Sequence, residues 1–138
     1  MPIKLEIVTP EARIFSDEVD SVVLPGYEGE MGVLPGHAPL VTTLRYGELR
    51  YTKGGKTTEL AVGEGLVEVT GNTTRVLTDM AVQSEDIDEK TVEEALERAR
   101  HSLESIKPGE HQEEVAAVMA MIQRSTAQLH LKRKRKTL

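Results

Sequence analysis

No cysteine occurs anywhere in the 138 residues, which excludes disulfides, thiolate metal sites, iron–sulfur clusters and a cysteine nucleophile. Tryptophan is also absent, and only Phe15, Tyr27, Tyr46 and Tyr51 are aromatic. Any core must therefore be aliphatic, and there is no platform on which bases could stack. The longest apolar run is the eight residues Val115 to Ile122, far short of the roughly 20 needed to cross a bilayer. The N-terminus passes directly into alternating residues, without a charged region followed by a long apolar stretch, so no cleaved signal is expected.

Patterns that carry chemistry are equally scarce. The histidines, His37, His101, His111 and His130, include no pair at the i, i+4 spacing that would aim two imidazoles at one ion, so no metal site is expected. No phosphate loop ends in Lys-Ser or Lys-Thr, and Gly63-Glu64-Gly65 sits between strand-like runs, where glycine marks a bend or bulge. Ser and Asp are plentiful, but no spacing pairs a nucleophile with a base. The chain shows no catalytic constellation and no cofactor motif.

What is present divides in two near Ser84. Ten of the eleven glycines and five of the six prolines precede that point. Before it, apolar and polar residues alternate, as in Ile3 to Ile7, Glu18 to Val22 and Leu66 to Val69, which is the period of strands with one face buried. Turn signals fall at Thr9-Pro10, Pro25-Gly26, Tyr46-Gly47, Gly54-Gly55 and Gly71-Asn72, the last two suiting tight hairpins that need positive φ. After it, the period lengthens to between three and four. Ser84 with Asp86 to Asp88 supplies capping oxygens and negative charge for a helix start. Val92, Leu96, Ala99, Leu103 and Ile106 form one apolar stripe, Pro108-Gly109 turns the chain, and Val115, Val118, Met119, Ile122 and Leu129 form a second. The expected architecture is mainly β with α: an N-terminal antiparallel β-sandwich over 1–84, then a C-terminal antiparallel two-helix hairpin over 85–138. Two such helices have little core of their own, so the hairpin should be the less stable half. The pattern is compatible both with a hairpin that stays docked and with one that moves.

Charge is as unevenly distributed as glycine. The overall net charge is −6, made of −5 over residues 1–84, −7 over 85–114 and +6 over 115–138. The second helix ends in Lys132-Arg133-Lys134-Arg135-Lys136. Such an end can be a solvated helix terminus, where cations suit the dipole. It can also meet an acidic surface on a partner, where several charges act together. A free-standing regulatory or nucleic-acid-binding module using this tail is the rival reading, disfavoured by the missing aromatics and the −12 carried elsewhere.

One segment stands apart: Gly29-Glu30-Met31-Gly32-Val33-Leu34-Pro35-Gly36-His37-Ala38-Pro39-Leu40, which reads as a loop of specific backbone shape presenting apolar residues and a carboxylate. With its flanks it resembles the epsilon subunit of F-type ATP synthases. The similarity runs from Ile3 to Thr9 through Phe15-Ser16, Val19 to Leu24, the segment itself, Gly47 to Arg50, Gly63 to Val69 and Val76-Leu77, to Asp86-Ile87-Asp88.

The resemblance implies a non-catalytic rotor subunit, with the sandwich binding the gamma subunit on one side and the c-subunit ring at one end. It implies Glu30, Met31 and His37 at the contact with the c-ring and gamma, Glu30 in a polar contact with the ring and His37 near gamma and the ring. It also implies that the hairpin can open toward acidic segments of the beta (and alpha) subunits and inhibit ATP hydrolysis, through Arg124, Lys132, Arg133, Lys134, Arg135 and Lys136. Some relatives bind ATP through an Ile/Leu-Asp-x-x-Arg-Ala motif. This chain keeps Ile87 and Asp88 but has Thr91 and Val92 where Arg and Ala are expected, which puts nucleotide binding in doubt. No cofactor, metal or nucleic acid is expected, and the expected location is the cytoplasmic face of a bacterial cell membrane, attached peripherally through the complex.

Overall fold

The computed structural model describes residues 2–107, 109 and 112–136, with backbone only at positions 135 and 136. Ten strands come first: β1 (Ile3–Val8), β2 (Arg13–Val19), β3 (Ser21–Gly26), β4 (Gly29–Val33), β5 (Leu40–Leu44), β6 (Gly47–Lys53), β7 (Lys56–Val62), β8 (Gly65–Thr70), β9 (Thr73–Thr78) and β10 (Ala81–Gln83). A turn of 3₁₀ helix (Ser84–Asp86) leads to α1 (Glu89–Ser105) and α2 (Gln112–Lys136).

The strands form two leaves, β10-β7-β6-β3-β4 and β5-β8-β9-β1-β2. The leaves meet along one seam through a single backbone pairing, Gly26 with Leu44. Along the other seam β2 meets β6: Lys53 pairs with Asp17, and the rings of Phe15 and Tyr51 stack obliquely with centroids 4.5 Å apart. Period-two alternation sends Ile3, Leu5 and Ile7, Leu49 and Tyr51, Leu60 and Val62, and Val67 and Val69 into one continuous buried core. As expected, it is almost wholly aliphatic. One pairing departs from the antiparallel pattern: β1 lies parallel to β9, Ile7 opposite Val76.

Local chemistry explains the tight turns. Gly54 and Gly55 take φ of 58° and 80° between β6 and β7, the left-handed pair that matches hairpin twist. Gly65 serves another purpose, since a Cβ there would lie 1.7 Å from the Leu77 carbonyl oxygen; only a bare backbone fits between β5 and β9.

Several sequence expectations need correction. Ser84 does not cap the first helix: it is 97% shielded and opens the 3₁₀ turn, while Asp88 is the N-cap, accepting a hydrogen bond from the Thr91 amide at 3.4 Å. Pro25-Gly26 is the end of β3 and not a turn; the chain reverses at Tyr27-Glu28. Residues Gly29 to Val33 are strand β4, so only the part from Leu34 to Pro39 is loop. Met119 is 48% exposed, whereas Ser125 and Leu131, outside the expected stripe, are buried. Pro108, expected to turn the chain, lies outside the described residues, and α1 already ends at Ser105. Among the described residues no helix is long and apolar enough to cross a membrane.

The hairpin is folded down on the outer face of the first leaf. α2 lies against β7, β6 and the 3₁₀ turn, and α1 packs on α2. Their foothold is a small apolar cluster of Ala61, Met80, Ile87 and Leu131, with Val82, Val92 and Ala127 at its margin.

Two carboxylates on the sandwich give its stability a definite pH dependence. Hydrogen bonding from Arg75, then Lys4, holds Glu6 below its ordinary value of 4.5; hydrogen bonding from Lys53, then the Glu18 amide, holds Asp17 below 3.8. A depressed folded-state value means that the stabilisation is present above those ordinary values and is lost as pH falls from them through the lower folded-state values. The urea midpoint should be flat from about pH 7 to pH 5 and fall below that, with Arg75→Met reducing the acid sensitivity. Independently, Gly65→Ala should destabilise the chain by about 1–3 kcal/mol or more in the same denaturation measurement, because backbone must move to admit the methyl group.

Candidate functional site

The two leaves present very different outer faces. On the leaf β5-β8-β9-β1-β2, cross-strand register aligns Thr43, Leu66, Leu77 and Val8 in one row and Val41, Glu68, Arg75 and Glu6 in the next. Val41 is 65% exposed, and Leu66 and Leu77 are also exposed. The neighbouring row is bound together by charge: Arg75 Nε donates to Glu6 at 3.1 Å, and its Nη1 lies 3.9 Å from Glu68. An apolar row rimmed by ordered charges on an otherwise flat sheet is the anatomy of a contact face. Sequence reading missed it, because alternation marks the buried face and treats the other as solvent; the available signal was Val41, Leu66 and Leu77 at positions where polar residues are expected.

The arch formed by β4, the loop 34–39 and β5 borders this face. Glu30, near the start of β4, points outward and its carboxylate takes hydrogen bonds from Arg50 at 3.3 and 3.4 Å. Met31, its neighbour in the sequence, alternates inward and packs partly buried against the core. His37 lies past the end of β4 in a turn whose shape is dictated by sequence: Pro35-Gly36, with Gly36 at φ 83°, closed by the His37 amide donating to the Leu34 carbonyl at 3.1 Å. The imidazole Nδ1–H donates to the Ala38 carbonyl at 2.7 Å, which fixes the ring. Leu34 beside it is 64% exposed. Glu30 and His37 thus stand at the two ends of β4, about 10 Å of strand apart, and not in one cluster. At the other corner of the arch, Arg45 stacks 5.1 Å from the centre of the exposed Tyr27 ring.

The opposite leaf is covered by the hairpin, and here the basic residues of α2 find partners. Lys134 Nζ donates to both Glu48 oxygens at 3.1 Å and lies 3.9 Å from Glu59. Arg133 pairs with Glu89, at 3.1 Å, and with Glu93, both on α1. Lys132 donates to the Ser84 carbonyl at 3.1 Å. Burial alone would push the Glu48 carboxyl up, but hydrogen bonding from Glu59 and Lys134 outweighs this and holds it below its ordinary value. Arg124 is half-buried further up α2, close enough for its charge to act on Tyr46. Burial first, then Asp79 and Glu64, raise the Tyr46 hydroxyl, which donates to Asp79 at 3.4 Å. The side chains of Arg135 and Lys136 lie outside the described residues. Beside this contact a cleft of about 360 Å³, lined by Tyr46, Gly47, Ile122 and Ala127 among others, separates α2 from the start of β6. The helix is seated at its end, not sealed along its length.

Three of the four residues at the helix start have structural employment. Ile87 is buried in the cluster beneath the hairpin, Asp88 caps α1, Val92 packs at the cluster's margin and Thr91 is exposed.

A sandwich with one open apolar face and one helix-covered face has the anatomy of the class of subunits that work by contact. The comparisons with known proteins make the class specific. The family model for the ATP synthase Delta/Epsilon chain β-sandwich domain matches residues 2–84. An ATP synthase epsilon chain from Carboxydothermus hydrogenoformans is 52% identical over 101 residues, 73% of this chain and 75% of that protein. One from Herpetosiphon aurantiacus is 38% identical over 136 residues, 99% of this chain and 98% of its own length. A chain in the Euglena gracilis mitochondrial ATP synthase, solved as OSCP/F1/c-ring, shares the fold with a TM-score of 0.76 at 24% identity, over 99% of this chain and 82% of that one. The protein belongs to the ATP synthase epsilon-chain family, whose members are not the catalytic subunit.

With Ile87 and Asp88 engaged in folding and no arginine at position 91, calorimetric titration of the purified chain with ATP should show no saturable heat at micromolar concentrations; a micromolar transition would overturn this expectation.

Proposed function

We propose that the chain is a rotor subunit of the central stalk of an ATP synthase. It would help couple rotation of an ion-driven c-ring to ATP synthesis and restrain ATP hydrolysis through its C-terminal helices. The observation that carries this reading is the division of labour between the two faces, one open and apolar, the other occupied by a hairpin held at few points.

In this reading the row Thr43, Leu66, Leu77 and Val8 receives the gamma subunit, since burial of an apolar strip against a stiff sheet gives a contact that transmits torque without needing to be large. Glu30 offers the c-ring a carboxylate whose hydrogen-bonded partner, Arg50, is already in place, so docking need not strand a charge. His37 and Leu34 lie where gamma and ring would both be near, and Met31 supports the strand from within. The complex is attached to the cytoplasmic face of a bacterial membrane, and this subunit touches the membrane only through it.

The inhibitory part rests on charge. Arg124, Lys132, Arg133 and Lys134, with Arg135 and Lys136, would pair with acidic segments of the beta (and alpha) subunits once the hairpin lifts. Both environments offer carboxylates, so the two states differ modestly in free energy and a small bias moves the population. The competing reading, a nucleic-acid-binding tail, has less support, because Arg133 and Lys134 already face carboxylates of their own chain.

Deleting residues 85–138 should raise ATP hydrolysis by the assembled enzyme while the sandwich still co-purifies with gamma and the ring; unchanged hydrolysis would refute the inhibitory role. Leu66→Asp should leave the fold intact, by circular dichroism, and weaken binding to gamma about thirtyfold, as expected for charge introduced at the centre of an apolar contact.

A further inference from the structure

The ion pairs beneath α2 are the inner part of a longer series. It begins at Glu30, whose side chain is 66% exposed and whose carboxylate accepts hydrogen bonds from Nη1 and Nη2 of Arg50. The same guanidinium reaches Glu48, two residues earlier on β6, at 3.5 Å. Glu48, with a side chain only 13% exposed, receives Lys134 from α2 through both oxygens. Lys134 in turn lies near Glu59, which stands opposite Arg50 in the β6–β7 register. Two cations thus share three carboxylates along a line that starts at the protein surface and ends under the hairpin.

Arginine's planar fork can hold two carboxylates at once, and its commitment to one is drawn from the other. From this geometry we infer that Glu30 and the hairpin are coupled through Arg50. A cation that engages Glu30 from outside releases Arg50 toward Glu48, partly neutralises it, and loosens the seat of Lys134, so the hairpin lifts more readily. With Glu30 unengaged, Arg50 divides its charge between Glu30, at 3.3 Å, and Glu48, at 3.5 Å, so Lys134 meets only part of that competition for Glu48. The coupling is reciprocal: a lifted hairpin leaves Glu48 to Arg50 and makes Glu30 a freer partner for an external cation. The Arg133 pairs with Glu89 and Glu93 join α2 to α1; they move with the hairpin and do not oppose its lifting. What engages Glu30 and what a lifted hairpin does rest on the function proposed above, but the coupling itself is a property of this chain alone.

The signs are distinctive. Removing Glu30 should loosen the hairpin although the residue touches neither helix among the described contacts. Removing Arg50 should tighten it, since Lys134 loses both a competitor for Glu48 and a like charge beside it.

The absence of cysteine supplies the test. Ala61 is fully buried in the cluster under Leu131, so in full-length Ala61→Cys a single thiol reacts with an aromatic disulfide only when the hairpin lifts, and its rate reports the lifted fraction. Val82→Cys, partly buried at the margin of the same cluster, serves as a second probe, its rate read as a change from its own parent, should the first disturb packing. In this background Lys134→Met should react about three- to tenfold faster and Lys134→Arg at the parent rate, as expected for a partly screened charge pair. Glu30→Gln should react about twofold faster, Arg50→Met more slowly, and Glu30→Gln should have no effect once Arg50 is Met. Rates indifferent to Lys134→Met, faster reaction in Arg50→Met, or an equal Glu30→Gln effect with and without Arg50 would each overturn the inference. If the rates follow the expected pattern while deletion of residues 85–138 leaves hydrolysis unchanged, the coupling stands and the inhibitory reading falls. If deletion raises hydrolysis while the rates ignore Glu30 and Arg50, the reverse holds.

Discussion

Strand β7 is buried on both sides, and the arrangement of the molecule follows from that. Leu60 and Val62 face the sandwich interior while Ala61 between them faces the hairpin, all three being almost wholly shielded. One strand therefore belongs to two cores of very unequal size. The inner one gathers aliphatic side chains from nine of the strands; the outer one is a handful of residues around an alanine. Burial stabilises in proportion to apolar area, at about 25 cal/mol per Å², so the sandwich holds itself together and the hairpin is held only at a foothold. Charge supplements that foothold at the end of α2, where the partly buried Glu48 and Glu59 meet Lys134 in surroundings less screened than open solvent.

A hairpin with a small apolar contact and several ion pairs is one whose attachment depends on competition. Lys134, the cation nearest the sheet, stands between two carboxylates, Glu48 and Glu59, and an open cleft beside Tyr46 interrupts the packing of α2 on β6. The opposite face works differently. Its charged row is paired within the sheet, Arg75 with Glu6 and Glu68, which leaves the apolar row of Leu66 and Leu77 as its main unmet demand. Under the function proposed above, the open side would serve a lasting contact and the hairpin side a reversible one.

Much of this was legible in the sequence because it is local. Alternation revealed the strands, Gly54-Gly55 and Gly71-Asn72 revealed two of their hairpin turns, and the change in period near Ser84 revealed where strands give way to helices. Where the reading failed, the deciding partner was distant. Ser84 and Asp88 are both good capping residues, and only the path of the chain over Ile87 into the outer cluster decides between them. The parallel pairing of β1 with β9 joins residues some seventy positions apart. Along α2 apolar residues fall on more than one face, so choosing Met119 over Leu131 was not something periodicity could arbitrate. The pairing of Lys134 with Glu48 was invisible for the same reason, although the segregation of charge along the chain hinted that the basic end needed a counterpart.

The seam between the leaves has a mechanical corollary. Among the described residues the strand register crosses it on one side at one pair, Gly26 with Leu44, beside which the Arg45 amide donates to the Pro25 carbonyl at 2.9 Å, so a twisting load applied at one leaf has no long ladder of peptide groups along which to pass to the other. It must travel through interlocked methyls and the Phe15–Tyr51 stack, which resist shear because they are close-packed. The body would behave less like a woven sheet than like two boards glued face to face, strong in the plane of the glue, with its weakest line where Gly26 turns the corner.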